Sequence, residues 1–246
     1  RPRLVVIIDA TLDRVLVVSD LHIGNPFSEA SRSFGRFLDH AERERFHVCI
    51  NGDGLEILQT SFANLANDAS EVIRRVRSLL ARGLSVYYVV GNHDIVLEHY
   101  LESWAEIRIC PFLNLRSGDR RIRVEHGHLY DPFFVGHPRL YEALTRAAGP
   151  LLRVYPDVYK LWSAFENLKD RRARHTDGAE QSAYHAAAEM LLRRGFDAVV
   201  FGHTHRAEQV EIAPGQLYVN SGNWMHGGTY VEIVEGNVEL RTWLNG

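Results

Sequence analysis

An α/β fold is what this 246-residue chain predicts, and three observations predict it. Apolar, β-branched runs recur at residues 15–19, 48–51, 86–90, 121–125 and 198–201, each leading into a cluster of Asp, Asn, His and Gly. Between the first three runs lie two segments of helical periodicity, so the chain alternates as βαβαβ through residue 94, with short crossovers. Clusters that sit just past strand ends are delivered into one crevice at the carboxyl edge of such a sheet.

Taken in order, residues 5–8 and 14–19 read as two successive strands. Residues 29–45 read as a helix with Phe34, Phe37 and Leu38 on one face. A strand follows at 48–51. The next helix is expected over 68–82, opened by a capping box of Asp68 and Glu71 and stopped at Gly83. Strand 85–90 then leads into Gly91, and strand 121–125 into His126. From 138 to 195 helical periodicity dominates, carried by leucines and punctuated by Pro150 and Pro156, with no β-branched run. Strands return at 198–201, 208–212, 217–220, 229–234 and 238–243. The last four resemble a meander whose hairpin turns are marked by Pro214-Gly215 and Gly236-Asn237. The organisation expected is a single domain over 1–246, carrying a helical insertion at 130–195.

Composition narrows the function classes. A formal net charge of −3 argues against the broad basic footprint of a nucleic-acid binder. No run approaches the ~20 apolar residues of a membrane span, and no signal-peptide pattern opens the chain, so a cytoplasmic protein is expected. Cys49 and Cys110 lie among apolar neighbours and read as buried free thiols.

Five clusters carry the chemistry: Asp20-Leu21-His22, Gly52-Asp53, Gly91-Asn92-His93-Asp94, His126-Gly127-His128 and Gly202-His203-Thr204-His205. Residues two apart in an extended segment point the same way, so Asp20 with His22, and His203 with His205, can each present two donors to one spot. Asp53 can bridge two cations, Asn92 offers a neutral carbonyl oxygen, and His126 adds a nitrogen. This mixed oxygen and nitrogen set suits Mn²⁺ first, with Fe or Zn²⁺ as alternatives, and no thiolate is available for a closed structural zinc site. Two such ions leave the centre net positive, supply hydroxide at neutral pH and clamp an in-line displacement at phosphorus. His93 reads as the group that protonates the leaving oxygen or stabilises the transition state, with Asp94 orienting its ring. His128 reads either as a substrate contact or as a cap on its loop. His40, His47, His99, His137 and His226 read as structural, and His175 and His185 stay open.

In this order these residues resemble the calcineurin-like metallophosphoesterase superfamily, and the resemblance runs over nearly the whole chain. It implies a fold of two β-sheets packed as a sandwich and flanked by helices. It also implies one ion on Asp20, His22, Asp53 and His205, a second on Asp53, Asn92, His126 and His203, and a catalytic pair in His93 and Asp94. Within the superfamily the chain is most similar to bacterial UDP-2,3-diacylglucosamine pyrophosphohydrolases. Three features carry that narrower match: Glu56 after Gly52-Asp53, the helical insertion, and the stretch from Tyr218 to Trp224. Members of that group often carry arginine where this chain has His93 and an acid where it has His128.

Lys169, Arg171, Arg172 and Arg174 concentrate basic charge within the insertion, beside Tyr155, Tyr159, Trp162 and Phe165. The segment reads either as a lid that holds a second phosphate and an acyl or base moiety, or as a helical pair packed on the core. As a lid it could also touch an anionic bilayer. The function expected is metal-dependent cleavage of a phosphodiester or diphosphate bond in a small-molecule or nucleotide-linked lipid substrate. The alternatives are a cyclic-nucleotide or other small-molecule phosphodiesterase on the same chassis, and a scaffold that has lost its metals.

Overall fold

The computed structural model describes residues 7–24, 30–55, 62–94, 97, 106–131 and 178–243. Strand β1 (Ile7–Thr11) is followed by β2 (Arg14–Val18), α1 (Ala30–Arg43), β3 (His47–Asn51), α2 (Phe62–Ala81) and β4 (Val86–Val89). Next come β5 (Arg108–Cys110), β6 (Phe112–Ser117), β7 (Arg120–Val124) and a 3-10 turn at His128–Tyr130. The chain continues through α3 (Gly178–Arg193), β8 (Ala198–Phe201), β9 (Ala207–Ala213), β10 (Gln216–Ser221), the single turn α4 (Trp224–Gly227), β11 (Thr229–Val234) and β12 (Asn237–Thr242).

Two mixed six-stranded sheets result. One runs β12-β11-β2-β3-β4-β5 and the other β1-β6-β7-β8-β10-β9. Strands β2, β3, β4 and β5 are mutually parallel, as are β7, β8 and β10, so both sheets present carboxyl ends toward loops that carry the clusters. Alternation explains how each strand serves two cores. Val15 and Val17 join Cys49, Leu113, Val124 and Val200 in the layer between the sheets, while Leu16 and Val18 face the layer under α1 and α2. On the far side, Val199 and Phe201 pack beneath Tyr184, Ala188 and Leu192 of α3. Strands buried on both faces read as near-continuous apolar runs, which is why 15–18, 86–90 and 198–201 stand out in the sequence, whereas β7 alternates Ile122 and Val124 with arginines.

Four expectations are corrected. Helix α2 opens at Phe62, so Asp68 lies within it and not at its start; Glu71 pairs with Arg74 and Arg75 along the helix. Its C-terminus does end at Gly83, where Leu84 N–H reaches back to Leu79 O at 3.0 Å. The last four strands are not one meander, because β9 and β10 pair in one sheet and β11 and β12 in the other. The second hairpin turns at Glu235-Gly236, both with positive φ, one residue earlier than expected. Finally, β5 and β6 have no counterpart in the sequence reading, since β5 is three residues long and β6 alternates with Asn114 and Arg116. Strands β7 and β8 are parallel neighbours, so the chain between them is a crossover; of the insertion expected there, residues 132–177 lie outside the described residues.

Both cysteines are buried and unbridged. No helix among the described residues is long and apolar enough to cross a membrane. The layer under α1 is pinned by Phe37, whose ring contacts Phe34, Trp224, Tyr230 and Trp243 with centroids 4.7–6.0 Å away. Phe37→Ala should therefore cost about 3–5 kcal/mol of stability, read from urea unfolding. A loss below 1 kcal/mol would show that this cluster does not hold the helix to the sheet.

Candidate metal centre

The carboxyl ends of β2, β3 and β4 carry Asp20 with His22, Asp53, and Asn92 with His93; the ends of β7 and β8 carry His126 and His203 with His205. Donor atoms converge in two groups whose members lie within 4.8 Å of one another: Asp20, His22 and His205, and Asp53, His126 and His203. Each group draws residues from both sheets. His203 and His205 thus serve different groups, whereas the spacing alone aims both at one spot.

The backbone geometry also departs from the extended segment assumed for these pairs. Asp20, His22, Asp53, His203 and His205 all adopt positive φ, between 47° and 67°, and account for five of the eight non-glycine residues in that region among those described. A non-glycine residue in the left-handed region is held there at a cost of about 1–3 kcal/mol. Concentration of such residues in the candidate ligands marks a site whose shape is imposed by its surroundings. The loops support one another: Asp20 N–H donates to Gly52 O at 3.1 Å, and His22 N–H to Asp53 O at 2.9 Å.

The two carboxylates are used alike. Asp20 accepts the His203 backbone N–H on Oδ2 at 3.2 Å and turns Oδ1 to His205 Nε2 at 3.1 Å. Asp53 accepts the His93 backbone N–H on Oδ1 at 2.9 Å and turns Oδ2 to His126 Nε2 at 3.2 Å. His126 donates its Nδ1–H to Asn51 O at 2.8 Å, so in the neutral ring Nε2 presents a lone pair to the Asp53 oxygen. Two lone pairs facing across that distance need a positive charge between them, either a proton or a metal ion. Asp20 Oδ1 and His126 Nε2 are fully buried yet make no hydrogen bond of acceptable geometry among the described residues. Buried atoms of that kind suit divalent ions, and the oxygen and nitrogen donor set fits them.

Titration follows from the same geometry. Burial, the largest influence, disfavours the charged His126 ring, but the Asp53 carboxylate outweighs it and the pKa rises to about 9. Burial also opposes ionisation of Asp20, which His205 and His126 nevertheless hold down at about 2; Asp53 is likewise lowered, its burial offset by His126 and His93. His128 goes the other way, to about 3, because it is buried first and stands beside His126 and His203 second. It is therefore a neutral imidazole at the edge of the second group, with its ring centroid 5.6 Å from that of His126.

His93 packs edge-on to His22, with centroids 4.9 Å apart. The role given to Asp94 needs revision. Its carboxylate accepts Gly91 N–H at 2.7 Å, Gly54 N–H at 3.0 Å and the Tyr88 hydroxyl, partners other than the His93 ring. Burial first, and the Asp53 charge second, push it up to about 6. Asp94 instead ties the loops after β3 and β4 to each other. The substrate-binding candidates Lys169, Arg171, Arg172 and Arg174 lie outside the described residues. Three residues at this centre escaped the sequence reading. Asp131 takes His203 Nε2–H at 3.1 Å, Asn51 holds His126, and Tyr184 of α3 places its ring 6.5 Å from that of His203. Only Asp131 left a signal, an acid shortly after a His-x-His cluster.

The close fit makes Gly91 indispensable. A Cβ there would stand 2.5 Å from the Asp53 nitrogen and nearer still to its carboxylate. Gly91→Ala should cost about 1–3 kcal/mol through overpacking and strip bound metal, read by thermal melting and elemental analysis. A variant holding its full complement of metal would refute this fit.

A model of the calcineurin-like phosphoesterase family matches residues 13–207. Curated relatives named UDP-2,3-diacylglucosamine hydrolase include one from Aromatoleum aromaticum, 27% identical over 216 residues, covering 82% of this chain and 84% of its own. Another, from Yersinia pestis, is 26% identical over 246 residues and covers 93% and 98%. Among solved structures, Chaetomium thermophilum Vps29 aligns over 96% of this chain and 100% of its own, at 13% identity and a TM-score of 0.49.

Proposed function

The chain belongs to the calcineurin-like phosphoesterase family and is a metal-dependent phosphoesterase; from that premise we propose that it is a dinuclear hydrolase acting on the diphosphate of a UDP-diacylglucosamine-like, nucleotide-linked glycolipid. The observation that carries the dinuclear reading is the pairing of two buried carboxylates with imidazoles, Asp20 with His205 and Asp53 with His126, in which the buried Asp20 Oδ1 and His126 Nε2 make no hydrogen bond among the described residues. In this reading Asp20, His22, Asp53 and His205 hold one ion, and Asp53, Asn92, His126 and His203 the other. When bound, two divalent ions, Mn²⁺ for preference, supply Lewis acidity and an activated water for in-line attack at phosphorus.

The chain's own groups do the rest. Asp53 and Asp20 bring the charge that concentrates cations between the sheets, and the backbone N–H groups of His93 and His203 lock their carboxylates in place. The His93 side chain, beside His22, is proposed to give a proton to the leaving oxygen or to stabilise charge there. Asp94 is proposed to act through position, holding Gly91 and therefore Asn92 and His93 against Gly54. Neutral His128 is suited to accept or donate a hydrogen bond to substrate without adding charge. The Lys169 to Arg174 cluster is proposed to take the second phosphate. The diphosphate assignment draws on the curated relatives, which are named for that lipid nucleotide.

Asp53→Ala should abolish hydrolysis and bound manganese together, because it removes the shared donor; activity retained by that variant would refute the assignment. His93→Ala should keep both ions while kcat falls by about 10²–10⁴-fold. Metal loss in His93→Ala would move this residue from chemistry to coordination. A ³¹P NMR assay of the manganese-loaded protein should show UDP-diacylglucosamine converted to UMP and the lipid monophosphate, and EDTA should stop it. Turnover of cyclic nucleotides with none of the lipid nucleotide would replace the proposed substrate by the phosphodiesterase alternative.

A further inference from the structure

The stretch from Tyr218 to Trp224 gives no donor to either group, yet Asn220 and Ser221 are buried at 1% and 0% exposure where the two sheets meet. Most of their bonds tie β10 to the end of β8 in their own sheet, and the contact of Ser221 with Ser19 crosses to the other sheet. Ser221 Oγ–H donates to Phe201 O, at the end of β8, at 3.0 Å. Ser19 Oγ, just past β2 in the other sheet, lies 2.7 Å from Ser221 Oγ and 3.2 Å from Gly222 O. Two hydroxyl protons serve these three contacts, whichever oxygen donates between the serines, and one hydrogen-bonded chain joins the sheets. Asn220 Nδ2–H donates to Gly202 O at 2.8 Å, and Asn220 Oδ1 accepts Gly222 N–H at 3.0 Å, which fixes the turn.

The residues so joined are the direct neighbours of the candidate ligands. Ser19 precedes Asp20, and Phe201-Gly202 precede His203. Neither donor group is complete on one sheet; the distance between these two strand ends sets that of Asp20 and His22 from His205, and the backbone bonds of Asp20 and His22 to Gly52 and Asp53 carry it to the second group. Apolar packing tolerates small sliding, whereas a buried hydrogen bond has a narrow range of length and angle. Gly202 belongs to the same device: a Cβ there would stand 2.7 Å from Ser19 Oγ and 3.0 Å from Asp20 Oδ2.

We propose that Ser19, Asn220 and Ser221 are positioning residues for the metal centre, a polar clamp that sets the spacing of the Asp20 loop from the His203–His205 loop and so permits two ions to bind together. This rests on the reading of Asp20, His203 and His205 as ligands. A network present only to satisfy strand-end carbonyls would affect stability and leave metal binding unchanged in the folded protein.

The test is manganese titration of the full chain, wild type against Ser221→Ala, by calorimetry and by electron paramagnetic resonance. Wild type should bind two ions and show the spectrum of an exchange-coupled pair. Ser221→Ala, with folding checked by circular dichroism, should bind one ion, take up the second with a dissociation constant raised by about 10–100-fold, and lose the coupled spectrum at equal manganese. Ser19→Ala breaks the same bond from the other side and should match it, with the double variant little worse than either. Should Ser221→Ala fail to fold, Ser221→Cys, similar in volume with a weaker donor, should show the same loss in smaller degree. Two ions bound at wild-type constants with the coupled spectrum intact would overturn the clamp. Wild-type protein that binds no manganese would overturn the ligand reading itself, and the clamp with it.

Discussion

Two buried carboxylates, Asp20 and Asp53, are turned toward imidazole nitrogens at 3.1 and 3.2 Å, and the rest of the molecule is organised around that confrontation. Ionised groups are expensive to bury, and they are retained only where a compensating charge is held in place. Here each carboxylate spends one oxygen on a backbone N–H and keeps the other for the interior of the site. His126, tethered through Nδ1 to Asn51, cannot rotate its remaining nitrogen away from Asp53. A proton or a divalent cation between the paired atoms supplies that compensating charge.

Such a centre needs donors from both sheets, which explains several otherwise unrelated features. Five candidate ligands take left-handed backbone conformations, so the chain can leave a strand and turn its side chain sharply inward. Glycines sit where a Cβ would meet a candidate ligand, as at Gly91 against Asp53 and Gly52 against His126. The three apolar layers, one between the sheets and two under the helices, supply the rigidity that makes these strained turns affordable.

Within the site the side chains divide by what they touch. His93 stands in contact with His22, while Asp94 accepts bonds from Gly91, Gly54 and Tyr88. A pair that reads as one catalytic unit in sequence is thus split, with one partner at the surface of the site and the other beneath it. Asp131 shows the converse. It lies far from His203 along the chain and meets its ring through the 3-10 turn.

Much of the fold could be read from local pattern. Runs such as Val86 to Val90 are apolar throughout because both faces of the sheet are covered, and Asp, Asn and His with glycines just beyond them are costly anywhere except at a site. The α/β class, most strands, the end of α2 at Gly83 and the convergence of the clusters are local consequences of side-chain type and period. By contrast, the start of α2, the short strand β5 and the division of the last four strands between two sheets depend on what each segment packs against. Sequence by itself determined which chemistry the chain can perform, since donors, their order and their strand-end positions are written in it. Only the tertiary structure decided that Asp94 is a brace and that Asn51 and Asp131 attend the candidate ligands. Those are distances between residues remote in the chain, and no local propensity encodes them.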